Sequence, residues 1–534
     1  MISGESVVYV DGFELSLEDI DRVASGEADV SIRDMAEVVD RMARSRTVLL
    51  DTVKRGVPVY GVTTGFGSSV RTQVSANGAQ ALQRGLVAFL GCGTGVAASR
   101  ESVRAMLLIR ANSLVRGHSG IRYEVVAALI DLLNHGLTPV VPEEGSVGAS
   151  GDLVPLSYIA ASLMGTRQMD CEGEILDSSA ALARFDLKPI ELEEKEGLSI
   201  VNGTSFMTAL GVLSVRRAGR IAEAAEVASA MSIEALCSIG DTFSVFLHDV
   251  AKPHPGQVKA ASSIRNLLEG SLLTRDYESV VSSLGTVSQG VKSLSDGIQD
   301  PYSLRCSPHF IGSLWDCVRW VEEWLTVEVN SSNDNPLVDV DRESIASGGN
   351  FSGGHVGLAM DALRTAVASV ADLIDRQLAL LVDSNSNRGL PANLAVDSHE
   401  TTTAESISHG FKGMQIACSS LAAEALSKCM PVTVFSRSTE CHNQDKVSMA
   451  TTAARATRDV VELVEKIMAI HLLALCQALD IRGCDGLGRT RSVYEMIRAE
   501  VPMVVGDREM SADIALVASL IRSGRLTKAA ALAH

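Results

Sequence analysis

The stretch ALRTAVASVADLIDRQLALL, residues 362–381, decides the fold class. Leu363, Val367, Val370, Ile374, Leu378 and Leu381 recur at spacings of three and four, which lines one face of an α-helix. Similar text fills Phe206–Met231, Phe411–Ser427 and Ser448–Ala478. Helices this long and this rich in small residues predict a central bundle of closely approaching helices. The faces are more apolar than a monomer needs, so contacts with further copies of the chain are expected along them.

Composition agrees. The 534 residues are 46% hydrophobic and 21% charged, enough for a large core and unlike a disordered chain. Aromatics are only 4%, which favours packed helices over a β-sandwich. Forty-seven basic against 65 acidic residues give a net charge of −18, with no basic stripe, so neither nucleic acid nor an anionic membrane is an expected partner. The N-terminus MISGESVVYVDGFELS lacks the basic and apolar regions of a secretory signal, and no apolar run is long enough for a bilayer. A cytoplasmic location follows as the expectation, with the ten cysteines reduced and mostly buried.

Away from the bundle, Val7 to Leu15 alternate around Asp11-Gly12, a hairpin signal, and Ser16 to Asp19 form a helix N-cap. YGVTTGFG, residues 60–67, reads as a loop, and helical periodicity covers Gln80–Leu90 and Ser102–Val115. PVVPEEGSVGASGDLVP, from Pro139 to Pro155, holds too much Gly and Pro for a regular helix. Ile190 to Gly203 is a second loop-rich stretch, ending in VNGTS.

Within the Pro139–Pro155 stretch, Ala149-Ser150-Gly151 sits in a glycine-rich loop closed by Asp152 and Pro155. Such a loop can bring the Gly151 nitrogen onto the Ala149 carbonyl, because Gly has no Cβ to obstruct the approach. Ring closure and loss of the Ser150 hydroxyl, two waters in all, leave an exocyclic methylene, an electrophile that ordinary side chains do not provide. By itself the tripeptide is far more often a tight turn than a site.

GSVGASGDLVPLSY, residues 145–158, strongly resembles the signature of the methylidene-imidazolone family of histidine, phenylalanine and tyrosine ammonia-lyases and related aminomutases. The resemblance runs in family order from about Tyr60 to about Gly483. It implies an all-α fold: an N-terminal part, 1–204, with the base loop and prosthetic loop, a central helical bundle, 205–484, and a C-terminal helical tail, 485–534. It also implies a homotetramer with active sites shared between subunits, and a methylidene-imidazolone formed from Ala149-Ser150-Gly151 with no metal or diffusible cofactor.

The resemblance carries roles onto matching residues. YGVTTGFG matches the mobile loop whose tyrosine, here Tyr60, is the catalytic base; a phenolate is strong enough for a weakly acidic β-proton. LSIVNGTS puts Asn202 beside the prosthetic ring, where an amide can donate to a carbonyl holding developing charge. IQDPYSLRC gives Gln299 and Tyr302 against ring and substrate, and Arg305, whose planar fork suits the substrate carboxylate. SSNDNPLVDV and SGGNF give Asn335 and Phe351, and TECHNQDKVSM gives Glu440, Asn443 and Gln444. Taken singly, a lone arginine is more often a salt bridge and a lone glutamate a surface residue.

Three positions bear on the substrate. Phe89-Leu90 resembles the aryl-selectivity pair of phenylalanine ammonia-lyases, Gln444 stands where histidine-specific members carry glutamate, and Lys412 matches the phenylalanine branch. Cys441 and His309 depart from that branch. The expectation is a carbon–nitrogen lyase that converts L-phenylalanine to trans-cinnamate and ammonia. The alternatives are an aminomutase, a tyrosine or histidine ammonia-lyase and, remotely, a silent helical scaffold. A metal hydrolase would need ligand spacing such as H-E-x-x-H, which the sequence lacks.

Overall fold

A computed structural model of the chain describes residues 6–294, 297–396 and 408–531. It is all-α in character; its strands are three or four residues long and pair in small sheets. Two compact units divide it: Met1–Arg216 with Val321–Asp361 and Pro431–Arg458, and Arg217–Trp320 with Ala362–Met430 and Asp459–His534. Among the described residues no helix is long and apolar enough to cross a membrane.

In the first unit the helix Arg100–Val115 is buried at every residue from Ser102 onward. In a helix buried all round, polar side chains can find partners only inside the fold. Arg104 therefore donates Nε to the Val23 carbonyl and Nη1 to the Leu133 carbonyl, each at 2.8 Å. Those carbonyls end the helices Leu17–Ser25 and Tyr123–Asn134, where a cation is favoured by the helix dipole. Ser16 caps the first of these, accepting from Asp19 N, as its sequence predicts.

The hairpin expected around Asp11-Gly12 does not form. Asp11 Oδ1 accepts from Phe13 N and Glu14 N, which ends the strand Val7–Val10 instead of reversing it. That strand pairs in parallel with Asp29–Ile32, across the helix Leu17–Ser25. The loop expected between Ile190 and Gly203 also contains a short helix, Glu196–Val201, every residue of which is buried. Burial of its backbone demands internal hydrogen bonds that the local sequence does not announce. The cysteines are free, but only Cys171, Cys418 and Cys476 are buried.

The predicted helices appear as Ser205–Ala235, Gly354–Val382, Lys412–Ser427 and Ala450–Arg482, joined by Ser307–Val329. All six residues of the 363–381 stripe are fully buried, each contributing about 1.5–3 kcal/mol. Small residues let helices approach: a Cβ on Gly357 would stand 2.9 Å from Thr433 Cγ2 and 3.2 Å from Ala450 Cβ. In the second unit a polar layer crosses the bundle, Ser232 Oγ meeting His471 Nε2 at 3.0 Å and Gln377 Nε2 donating to Ser229 Oγ at 3.0 Å.

Candidate active site

The strand Pro142–Glu144 and the helix Leu153–Leu163 bracket the loop that carries Ala149-Ser150-Gly151. Gly145, Gly148 and Gly151 all adopt positive φ, which turns the loop back on itself so that Ala149 bridges to Gly151. At Gly151 no other residue fits: a Cβ there would lie 2.1 Å from the Gly203 oxygen and 2.4 Å from its carbonyl carbon. Asp152 N donates to that same Gly203 oxygen at 2.7 Å.

Asp152 anchors the loop from beneath. Its buried carboxylate accepts from Thr451 Oγ1 at 2.5 Å, Ser146 Oγ at 3.0 Å and Met207 N at 2.8 Å. Burial pushes its pKa up to about 6 against the pull of these donors. Ser448 Oγ and Met449 N bind the carbonyls of Gly148 and Val147 from a third segment.

Two amides converge on Ser150. Asn202 Nδ2 donates to the Ser150 carbonyl at 2.8 Å, and Gln444 Nε2 donates to Ser150 Oγ at 3.2 Å. Asn202 is itself oriented, its Oδ1 accepting from Asn335 N at 2.8 Å. Asn335 Oδ1 in turn accepts from Gly348 N at 2.7 Å, and Phe351 lies half-buried three residues further on. Gln444 is fixed by Thr439 Oγ1, at the end of a turn where Glu440, Cys441 and His442 all take left-handed φ. Asn443 is exposed within this turn.

The loop of Tyr60 is tied to the same unit. Gly67 N donates to Tyr60 Oη at 2.9 Å, and Gln83 Nε2 holds the Gly61 carbonyl at 2.8 Å. Glu440 accepts from Ser68 N at 2.7 Å and from Ser68 Oγ at 2.9 Å, which pins the far end of the loop. Burial raises the Tyr60 pKa, the Gly67 bond opposes it and Glu440 adds to it. A phenolate made in such a place is a strong base. Phe89 ends the helix Ala79–Phe89, 62% exposed, while Leu90 is buried and its carbonyl accepts from Ser157 Oγ in the helix that follows the prosthetic loop.

Gln299, Tyr302, Arg305 and Lys412 belong to the second unit. Tyr302 is 70% exposed, with the Arg305 guanidinium 4.6 Å over its ring. Arg305 Nε donates to the Asp300 carbonyl at 3.0 Å, and the buried Asp300 carboxylate accepts from Ile239 N and Arg388 Nη2. Gln299 and Lys412 are exposed, Lys412 opening the helix Lys412–Ser427. Sequence reasoning did not find Gln83, Ser68 or Thr451, because their partners lie far away along the chain and no motif spacing encodes them.

A helical fold that turns an Ala-Ser-Gly loop against an asparagine, with a tyrosine loop in the same unit, defines a class of carbon–nitrogen lyase. A profile of the family described as aromatic amino acid lyase matches residues 15–499, and the chain belongs to that family. It is 39% identical over 523 residues to a histidine ammonia-lyase of Gloeobacter violaceus, covering 98% of this chain and 97% of the relative. Among solved structures, tyrosine aminomutase from Streptomyces globisporus superimposes with a TM-score of 0.92 at 35% identity, covering 98% of each chain. Phenylalanine aminomutase of Pantoea agglomerans gives a TM-score of 0.90 at 34% identity, over 97% of this chain and 99% of its own.

Proposed function

We propose that this enzyme eliminates ammonia from an aromatic L-amino acid, and that L-phenylalanine is its substrate and trans-cinnamate its product. The observation that carries the reading is the convergence of Asn202 and Gln444 on Ser150, beside a Gly151 that tolerates no side chain. These residues fit a methylidene-imidazolone made from Ala149-Ser150-Gly151: the turn is already folded back, and the future ring carbonyl already has its donor. That group supplies a carbon electrophile that turns the substrate nitrogen into a leaving group.

Tyr60 removes the β-proton, its loop held by Gly67, Gln83 and Glu440. Arg305 grips the carboxylate, Gln299 and Tyr302 line the substrate, and Asn335, Phe351, Lys412, Glu440 and Asn443 complete the binding set. The enzyme works as a homotetramer with shared sites, an assembly that would cover Phe89 and Tyr302, which are 62% and 70% exposed in one chain.

Phe89, Leu90 and the neutral amide of Gln444 favour a phenyl side chain over imidazole. A second reading, L-histidine, is favoured by the relatives named histidine ammonia-lyase, at 39% and 38% identity. Steady-state comparison of phenylalanine, tyrosine and histidine decides between them. Histidine turnover equal to or above that of phenylalanine sinks the phenylalanine reading, and a β-amino acid as main product makes the enzyme an aminomutase. An intact mass not lower than the sequence mass by two waters removes the prosthetic group and the mechanism with it.

A further inference from the structure

We propose that Asp334, Lys195 and Arg110 form a buried charge cluster that positions Asn202 against the Ser150 carbonyl, an inference that rests on the elimination proposed above. Asp334 and Lys195 are both fully buried. The Asp334 carboxylate accepts from Ser119 Oγ at 3.0 Å on one oxygen, and from Lys195 Nζ at 2.6 Å and Ser199 Oγ at 3.2 Å on the other. Lys195 Nζ also donates to Ser199 Oγ at 2.9 Å.

Their places in the chain give the cluster its meaning. Lys195 immediately precedes the short helix Glu196–Val201, Ser199 lies within it and Asn202 follows it, with Lys195 held at φ 69°, a conformation unfavourable for a residue with a side chain. Asp334 immediately precedes Asn335, whose N–H binds Asn202 Oδ1. One carboxylate thus ties together the arm that carries the Asn202 side chain and the arm that orients it. With Oδ1 occupied, Nδ2 is the end of the amide left to face Ser150.

Arg110 lies behind the same turn. Its guanidinium is fully buried, Nη2 donates to the Ser199 carbonyl, and Nη1 lies 2.0 Å from where a Cβ on Gly203 would be. Nε and Nη1 have no hydrogen-bond partner among the described residues. Arg110 and Lys195 share the Asp334 carboxylate, and the buried Asp152 carboxylate lies on the loop itself, so the cluster acts by holding the turn and the Asn335 peptide in place and not through a net positive field. Burial lowers the pKa of both Arg110 and Lys195, with Asp334 opposing it in each. Buried ion pairs are often no more stabilising than apolar side chains of the same volume, so stability alone gives no reason for this one. None of the three residues needs to touch substrate; they are positioning residues.

The test uses the full-length enzyme with Asp334→Asn, the paired Lys195→Met/Asp334→Leu, and Arg217→Met as a control that breaks a buried ion pair with Glu465. The readouts are intact mass, melting temperature, kcat, KM and the rate at which borohydride adds hydride to the electrophile, seen as a mass gain. Asp334→Asn is expected to keep the two-water deficit and lose about tenfold or more in kcat, with borohydride addition slowed alike. KM stays within about threefold, as for a group acting on the transition state. The paired variant, which removes the Lys195 charge together with that of Asp334, shows the same kcat loss with a smaller loss of melting temperature than Asp334→Asn. A folded Asp334→Asn that fails to dehydrate, beside a dehydrated Arg217→Met, also supports the cluster. Wild-type kcat and borohydride rate in either cluster variant overturns the proposal, as does a loss no larger than that of Arg217→Met at equal melting temperature. A wild type with no two-water deficit and no turnover overturns the elimination reading and this one together; a normal wild type with an indifferent cluster overturns this one alone.

Discussion

Gly151→Ala is the perturbation whose consequence the structure specifies most closely. The new Cβ would stand 2.1, 2.4 and 2.8 Å from the O, C and N of Gly203. These are backbone atoms, with no rotamer to turn aside. Carbon–carbon contacts are optimal near about 3.5 Å, so the Gly203 carbonyl carbon must retreat by about 1 Å. That movement breaks the buried Asp152 N–H bond to Gly203 O, now 2.7 Å, at about 1–3 kcal/mol. Holding alanine at φ 68° costs a further 1–2 kcal/mol or so. The sum, about 2–5 kcal/mol, is less than a typical domain's stability, so the variant folds with a lowered melting temperature. Its 149–151 turn is displaced, so its intact mass equals the sequence mass with no water lost, and its turnover is abolished. Gly173→Ala isolates the conformational part, because Gly173 has φ 89° and none of the described residues lies within 4 Å of an added Cβ. It should melt slightly lower and stay fully dehydrated and active. A Gly151→Ala enzyme that has lost two waters and turns over like wild type refutes the reasoning.

Further outcomes follow from other residues. Tyr60→Phe should keep the two-water deficit and lose at least about a hundredfold in kcat. Burial holds the Tyr60 phenol above its ordinary pKa, so the wild-type kcat/KM should climb with pH into the alkaline range and the variant's should not; parallel pH profiles would remove Tyr60 as the base. Gln444→Glu should raise the histidine-to-phenylalanine ratio of kcat/KM by about ten- to a hundredfold, and an unchanged ratio would detach Gln444 from selectivity. His471 is fully buried and its pKa is pushed down to about 3. Its neutral form is the folded form, so its contribution is complete above pH 6.5 and is lost as pH falls toward 3, by up to about 5 kcal/mol. Urea midpoints between pH 7 and pH 4 should fall steeply for wild type and more gently for His471→Gln; equal slopes would contradict this.

The sequence by itself determined the helices and the chemistry on offer. The period of 363–381 sufficed for its helix because a stripe of six apolar residues can be buried in only one regular way, and all six are buried. Ser16 declared its cap, and the glycines of residues 145–151 declared a tight turn, because both are local backbone properties. Tertiary structure decided what the local text leaves open. Val7–Val10 became a parallel strand because its partner lies beyond a helix, and pairing is fixed by what closes over it. Asn202 reaches Ser150 across 52 positions, Glu440 reaches Ser68 across 372, and Lys195 reaches Asp334 across 139. Such contacts arise where buried polar groups must find partners, and which partner is near depends on how the helices pack. The residue types of the site are legible in the sequence; which oxygen each amide faces, and what stands behind it, belongs to the fold.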